Sequence, residues 1–216
     1  YPTNAGVVSP GKLDAIITDQ TKLVSIMMVN NEIGTVQPIQ ELCALAHRQG
    51  ALFHTDAVQA VGHMPLDVHA LDIDFLSASA HKFNGPKGVG FLYIRQGTII
   101  EPFSDGGAQE HGLRAGTENI ASIVGMAVAL QKNCEELSTA QHHLKELEQI
   151  ILSKLDAAKI DYCRNGNDPH IPGNLSLSFK GCEGEMLLHR LDLMGIMVST
   201  GSACDSKNTQ VSHVLR

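Results

Sequence analysis

A strand–helix–strand pattern near the start of the chain most constrains the fold. Leu23–Val29 is a continuous apolar run, which is typical of a strand buried on both faces of a parallel sheet. Residues 38–49 carry apolar side chains at helical spacing and end at Gly50, a common helix stop. A second apolar run, residues 51–55, predicts the next strand. These segments predict a βαβ unit and therefore an α/β fold with a mostly parallel sheet flanked by helices.

The composition limits the function classes. The net charge of −7 argues against direct nucleic-acid binding, and no run approaches the roughly 20 apolar residues of a membrane span. The first residues lack the pattern of a signal peptide. The five cysteines are scattered without a Cys-x-x-Cys pair, which favours reduced thiols in the cytoplasm.

The histidines do not predict a metal site. His142 and His143 are adjacent, so they face different directions on a helix. His54 and Asp56 are two residues apart and share one face of a strand, but a third ligand is not evident.

Further elements follow the βαβ unit. Strands are predicted at 75–77, 89–94, 175–179 and 196–199, and helices at 120–154 and 183–194. A polar stretch at 138–143 indicates that one helix ends and another begins there, and we place a domain boundary between 138 and 139. The loop at 105–117 is long and rich in glycine, which is typical of functional loops.

Lys82 is the strongest candidate for a functional residue. It follows the short apolar run 71–76, which is typical of a buried strand, and precedes the glycine- and proline-rich turn 83–90. A desolvated lysine amine at such a position can bond covalently to a carbonyl group. The alternative is a solvated surface lysine, so the interpretation depends on the neighbouring groups.

Several polar groups stand at the ends of successive predicted strands, where an open parallel sheet forms one crevice. They are Asn31, Asp56 with Gln59, Ser79 with His81, and Lys82. Together these groups suit pyridoxal-phosphate catalysis. The lysine can bind the cofactor, the carboxylate can pair with a protonated ring nitrogen, and the hydroxyl and imidazole groups can contact a phosphate. Taken singly, Asp56 could cap a turn and Asn31 could be a turn residue.

Five segments of the chain together resemble cysteine desulfurases, which are class-V aminotransferase-like enzymes of fold type I. The segments are Val29–Gly34, His54–Gln59, Ser77–Gly88, Gly106–Thr117 and Ser199–Cys204. The resemblance implies a pyridoxal-phosphate transferase fold. Residues 1–138 would be the C-terminal part of the large cofactor-binding domain, and 139–216 part of a smaller α+β domain.

The resemblance also implies roles for individual residues. Lys82, His81 and Cys204 would be catalytic; Lys82 would bind the cofactor and move the substrate proton, and Cys204 would take the sulfur. The cofactor-binding residues would be Asn31, Asp56, Gln59, Ser79, Ala80, His81, Lys82 and Thr117. Thr117 would reach the phosphate of the neighbouring subunit, which implies a homodimer with shared active sites. The long Cys204 loop is similar to that of the housekeeping group.

The implied activity converts L-cysteine to L-alanine and leaves a persulfide on Cys204. The sulfur would pass to an acceptor protein for iron–sulfur cluster or thio-cofactor and tRNA biosynthesis. The alternatives are a selenocysteine lyase or another class-V enzyme, which need not have the Cys204 loop, and an inactive truncated chain that binds partners. The family's ring-stacking histidine and substrate-binding arginine are not in this chain, so further segments are expected.

Overall fold

The computed structural model describes residues 6–201 and 214–215, which fall into two compact units. The sheet unit comprises residues 10–28 and 38–138. The small unit comprises residues 6–9, 29–37 and the described residues from 139 onward. The longest helix, α3 (Ile120–Ala157), contributes residues to both units.

The sheet unit is built on four strands in the order β1-β2-β3-β4. Its elements are α1 (Pro10–Ile16), β1 (Leu23–Met27), α2 (Ile39–Arg48), β2 (Leu52–Asp56), β3 (Phe75–Ser79), β4 (Gly90–Ile94) and the first part of α3. Strands β1, β2 and β3 are parallel, whereas β4 is antiparallel to β3. The predicted βαβ unit and the mostly parallel sheet are therefore confirmed.

The hydrophobic core of this unit lies on the sheet face that α2 covers. Leu42 and Phe53 are completely buried there, and Leu76 is 1% exposed. The apolar residues of α2 recur every three or four positions, so one stripe of the helix faces the strands. Burial of such side chains supplies about 25 cal/mol per Å² of apolar surface, which makes this layer the main source of stability.

A buried carboxylate ties the helix to the ends of the strands. Asp74 accepts a hydrogen bond from the backbone N–H of Phe53 at 2.7 Å and lies 2.8 Å from Nε2 of His47. The guanidinium of Arg95 lies 3.4 Å from its other oxygen. Because a buried charge is costly without partners, these contacts are needed for Asp74 to be tolerated in the core.

The small unit combines the second part of α3 with a two-stranded antiparallel sheet. The strands are β5 (Tyr162–Arg164) and β6 (Leu177–Phe179), and α4 (Gly184–Leu193) follows them. The buried carboxylate of Glu148 accepts a hydrogen bond from the Gly173 N–H at 2.7 Å and contacts Nε2 of His170 at 3.1 Å. These contacts hold the segment before β6 against α3.

Four local expectations were wrong or incomplete. Residues 138–143 do not separate two helices, because their polar side chains are compatible with the solvent-exposed surface of the continuous α3. Residues 196–199 have no strand partner among the described residues and are not a strand. The β1 strand is covered on one face only, and Leu23 is 51% exposed. The short elements α1 and β5 were not predicted.

Across the described part of the chain, no helix combines the length and the hydrophobicity needed to cross a bilayer.

Candidate active site

Lys82 lies in a tight 3-10 turn, Ala80–Phe83, that begins directly after β3. The Ala80 N–H donates to the carbonyl of Val89 at 3.0 Å, and the Gly85 N–H donates to the carbonyl of Ala80 at 2.8 Å. A side chain at Gly85 would meet the Ala80 carbonyl oxygen at 2.9 Å, so this position requires glycine. The backbone around Lys82 is therefore fixed, and its half-buried side chain starts from a rigid base.

Two side chains that the sequence did not single out also hold this turn. Nε2 of His63 donates to the carbonyl oxygen of Lys82 at 2.7 Å. The Asn133 amide donates to the carbonyl oxygens of Phe83 and Ala129, both at 2.8 Å, and so joins α3 to the turn. His63 is 19 residues from Lys82 and Asn133 is 50 residues from Phe83, so no local spacing could have identified them.

Ser79 and His81 form a pair beside Lys82. Oγ of Ser79 and Nδ1 of His81 lie 2.8 Å apart in hydrogen-bond contact. Ser79 is half-buried at the end of β3, His81 is exposed and Ala80 between them is completely buried. A hydroxyl, an imidazole and the turn's backbone are thus presented together, a donor set that suits a phosphate group.

Asp56 ends β2, the strand next to β3. Its register partner on β3 is Ser77, so the two side chains lie on the same face of the sheet. Ser79 follows Ser77 by two positions and therefore lies on that face as well. The Oδ1 of Asp56 accepts a hydrogen bond from the Val58 N–H at 3.0 Å, which starts the turn that contains the half-buried Gln59. The structure therefore brings Asp56 and Ser79 to the same edge and face of the sheet, as predicted from the strand order.

A row of hydrogen-bonded polar side chains crosses three strands on this face. Nδ1 of His54 lies 2.7 Å from Oγ of Ser25 on β1, and its Nε2 lies 3.2 Å from Oγ of Ser77 on β3. Burial lowers the pKa of His54, while the nearby carboxylate of Asp56 opposes that shift. Both ring nitrogens are occupied by hydroxyl groups, and burial favours the neutral imidazole.

The glycine-rich loop before α3 is held by its own contacts. The Arg114 guanidinium donates to the Ala115 carbonyl at 2.6 Å, and Ala115 is buried. The Gly116 N–H donates to the Gln109 side chain at 3.2 Å. Thr117 is exposed just beyond this segment, which leaves its hydroxyl accessible.

Two candidate residues are not placed in this site. Asn31 is exposed in the small unit, where its carbonyl oxygen accepts a hydrogen bond from the Asn174 amide at 3.2 Å. Cys204 lies outside the described residues. Their predicted roles therefore stay predictions.

The protein-family comparison decides the family of this chain. The family model for class-V aminotransferases matches residues 1–216. This chain belongs to the class-V aminotransferases. That family consists of pyridoxal-phosphate enzymes, in agreement with the lysine, carboxylate and phosphate-type donors at the strand ends.

Curated proteins with similar sequences include two that are named cysteine desulfurase IscS. The chain is 48% identical over 211 residues to the one from Dictyoglomus turgidum and 46% identical over 210 residues to the one from Methanosarcina thermophila. Each match covers 97% of this chain, but 54% and 52% of the relatives. The chain thus spans about half the length of the curated relatives it matches.

Solved structures of similar proteins have the same fold. A NifS-like protein superposes with a TM-score of 0.86 at 39% identity, over 98% of this chain and 58% of its own. A structure titled SspA in complex with cysteine superposes with a TM-score of 0.80 at 35% identity, over 99% of this chain and 59% of its own. The resemblance to cysteine desulfurases and the expected fold, part of a fold-type I transferase domain, are confirmed.

Proposed function

We propose that the protein containing this chain is a pyridoxal-phosphate-dependent cysteine desulfurase that converts L-cysteine to L-alanine. The observation that carries the proposal is the placement of Asp56 and the Lys82 turn at the ends of neighbouring strands in one compact unit. The names of two similar curated relatives support the choice of this reaction among those of the family.

The residues present fit the cofactor. When bound, pyridoxal phosphate supplies an electron sink for the substrate's carbon skeleton. The amine of Lys82 would bind the cofactor's aldehyde carbon, and the carboxylate of Asp56 would pair with its ring nitrogen. Ser79, His81 and the backbone of Ala80 would hold the phosphate, which the 2.8 Å contact between the Ser79 and His81 side chains supports.

The remaining roles complete the proposed site. Gln59 and Asn31 would hold the cofactor's ring oxygen, and Thr117 would reach the phosphate bound by the neighbouring subunit of a homodimer. Residues 1–138 are assigned to the cofactor-binding domain and 139–216 to the small domain. The exposure of Thr117 supports its use between subunits.

Lys82 and Cys204 have separate roles in the proposed reaction. The Lys82 amine would take the proton from the substrate's α-carbon. The Cys204 thiolate attacks the substrate's sulfur, so that a sulfur–sulfur bond forms and the carbon–sulfur bond breaks. The carbon fragment keeps the bonding electrons, takes protons and leaves as alanine, while Cys204 keeps the sulfur as a persulfide.

The persulfide implies further partners. We assign the sulfur to an acceptor protein of iron–sulfur cluster, thio-cofactor or tRNA-thiolation pathways. We place the reaction in the cytoplasm, since the five scattered cysteines form no Cys-x-x-Cys pair and the four described ones are free thiols.

Mass spectrometry of the gene-encoded protein, loaded with pyridoxal phosphate and incubated with L-cysteine, tests the proposal. We expect alanine in solution and one added sulfur atom on the peptide that contains Cys204. Cys204→Ser should abolish the added sulfur and most alanine, whereas the matched control Cys163→Ser should keep both. Absence of alanine from the wild-type protein, or turnover of selenocysteine alone, would refute the assignment.

A further inference from the structure

The row formed by Ser25, His54 and Ser77 lies directly behind Asp56. His54 precedes Asp56 by two residues on β2, so both side chains project from the same face of the sheet. Ser77 is the register partner of Asp56 on β3 and also contacts Nε2 of His54 at 3.2 Å. The Asp56 carboxylate therefore has the imidazole behind it along its own strand and the Ser77 hydroxyl beside it.

The imidazole is held from both sides. Ser25 contacts Nδ1 at 2.7 Å and Ser77 contacts Nε2, so the ring spans the distance between β1 and β3. A neutral imidazole has one N–H and one lone pair, and each hydroxyl can donate or accept as required. The ring's hydrogen-bonding groups are therefore used by the serines and are not turned toward Asp56.

This arrangement bears on how Asp56 can act. A free imidazole two residues away could become protonated and pair with the Asp56 carboxylate, which would compete with a cationic ligand for that carboxylate. The two hydroxyls and the half-buried position of His54 work against that pairing. Oδ1 of Asp56 already accepts the Val58 N–H at 3.0 Å, so the second oxygen is left for a ligand.

We propose that Ser25 and Ser77 are positioning residues that hold the His54 imidazole away from Asp56, so that the Asp56 carboxylate stays available to the cationic ring nitrogen of the cofactor. The inference rests on the proposed function because it assumes that Asp56 pairs with this nitrogen. The two serines act through His54 and Asp56 and not on the reacting atoms.

The role of the row is tested by titrating the gene-encoded apoprotein with pyridoxal phosphate. The absorbance of the bound cofactor gives the dissociation constant. We expect the double variant Ser25→Ala with Ser77→Ala to raise the dissociation constant about tenfold, because it releases the imidazole to pair with the Asp56 carboxylate. His54→Ala should bind pyridoxal phosphate as the wild type does, because it removes the competing imidazole altogether. The exposed His143→Ala is the matched control and should bind as the wild type does.

A triple variant separates positioning from a merely structural role. Adding His54→Ala to the double serine variant removes the released imidazole, so binding should return to within about twofold of the wild type. The melting temperature of the apoprotein should not follow the dissociation constants. If the triple variant binds as weakly as the double variant, or if the double variant binds as the wild type does, the inference is overturned. If the wild-type protein itself binds no pyridoxal phosphate, the proposed function fails as well, an outcome distinct from the others.

Discussion

Nε2 of His63 donates a hydrogen bond to the carbonyl oxygen of Lys82 at 2.7 Å, so a side chain remote in sequence fixes the backbone of the proposed cofactor-binding lysine. The Asn133 amide does the same for the neighbouring carbonyl of Phe83. The position of Lys82 thus depends on tertiary contacts as well as on the turn's own hydrogen bonds.

Replacing His63 with Ala should loosen the Lys82 turn. The Lys82 carbonyl would lose its partner, and loss of one such hydrogen bond costs about 1 kcal/mol of unfolding free energy. Urea denaturation of the wild type and the variant measures this difference. The exposed His69→Ala serves as the control and should change stability by less than about 0.5 kcal/mol. Equal stability of His63→Ala and the wild type would contradict the role of this contact.

Borohydride reduction of the cofactor-loaded protein should place a stable pyridoxyl group on Lys82. Peptide mapping by mass spectrometry identifies the labelled lysine. Lys82→Ala should carry no label, whereas Lys87→Ala, an exposed lysine in the same loop, should remain labelled on Lys82. A label on any other lysine of the wild-type protein is incompatible with the proposed role.

Asp56→Asn should impair turnover far more than folding. An amide cannot neutralise a protonated ring nitrogen, and a contact to a charged group contributes about 1.5–3 kcal/mol. Alanine formation from L-cysteine should therefore fall at least about tenfold, while the melting temperature changes little because Asp56 lies at a half-buried strand end. The exposed Asp19→Asn is the control. Wild-type turnover in Asp56→Asn would exclude the pairing.

Cys43 should be the least reactive of the described cysteines. It is completely buried, and burial together with the carboxylates of Asp74 and Asp72 raises its pKa from the ordinary 9.0 to about 12. Iodoacetamide at about pH 8 should label the exposed Cys134, Cys163 and Cys182 before Cys43, which can be followed by peptide mapping. Early labelling of Cys43 in the folded protein would contradict this burial.

The same shift predicts a pH dependence of stability. The folded state favours the protonated thiol of Cys43 because its pKa is raised there. The resulting contribution to the free energy of unfolding is complete below pH 9.0 and is lost as the pH rises towards about 12. Cys43→Ala should remove this part of the alkaline loss. Urea denaturation of both proteins across that window measures it, and identical pH slopes would refute the prediction.

Apart from the short helix α1, the sequence by itself determined the helices, the strands and the strand ends of the sheet unit. The apolar run of β1, the helical spacing of α2 and the short strand before Lys82 each contain their signal within a few neighbouring residues. Because the carboxyl ends of parallel strands meet at one edge, the chain order alone placed Asp56 and Ser79 together. Local periodicity could not show that α3 continues through its polar middle, or that residues 196–199 have no strand partner, because both depend on packing.

Only the tertiary structure decided which residues hold the site in place. His63 contacts Lys82 from 19 residues away, and Asn133 contacts Phe83 in the same turn from 50 residues away. Ser25 contacts His54, which is 29 residues further along the chain. Each side chain taken alone reads as an ordinary surface or strand residue. Their roles follow from hydrogen bonds between distant segments, and such contacts exist only once sheet register and helix packing have brought those segments together.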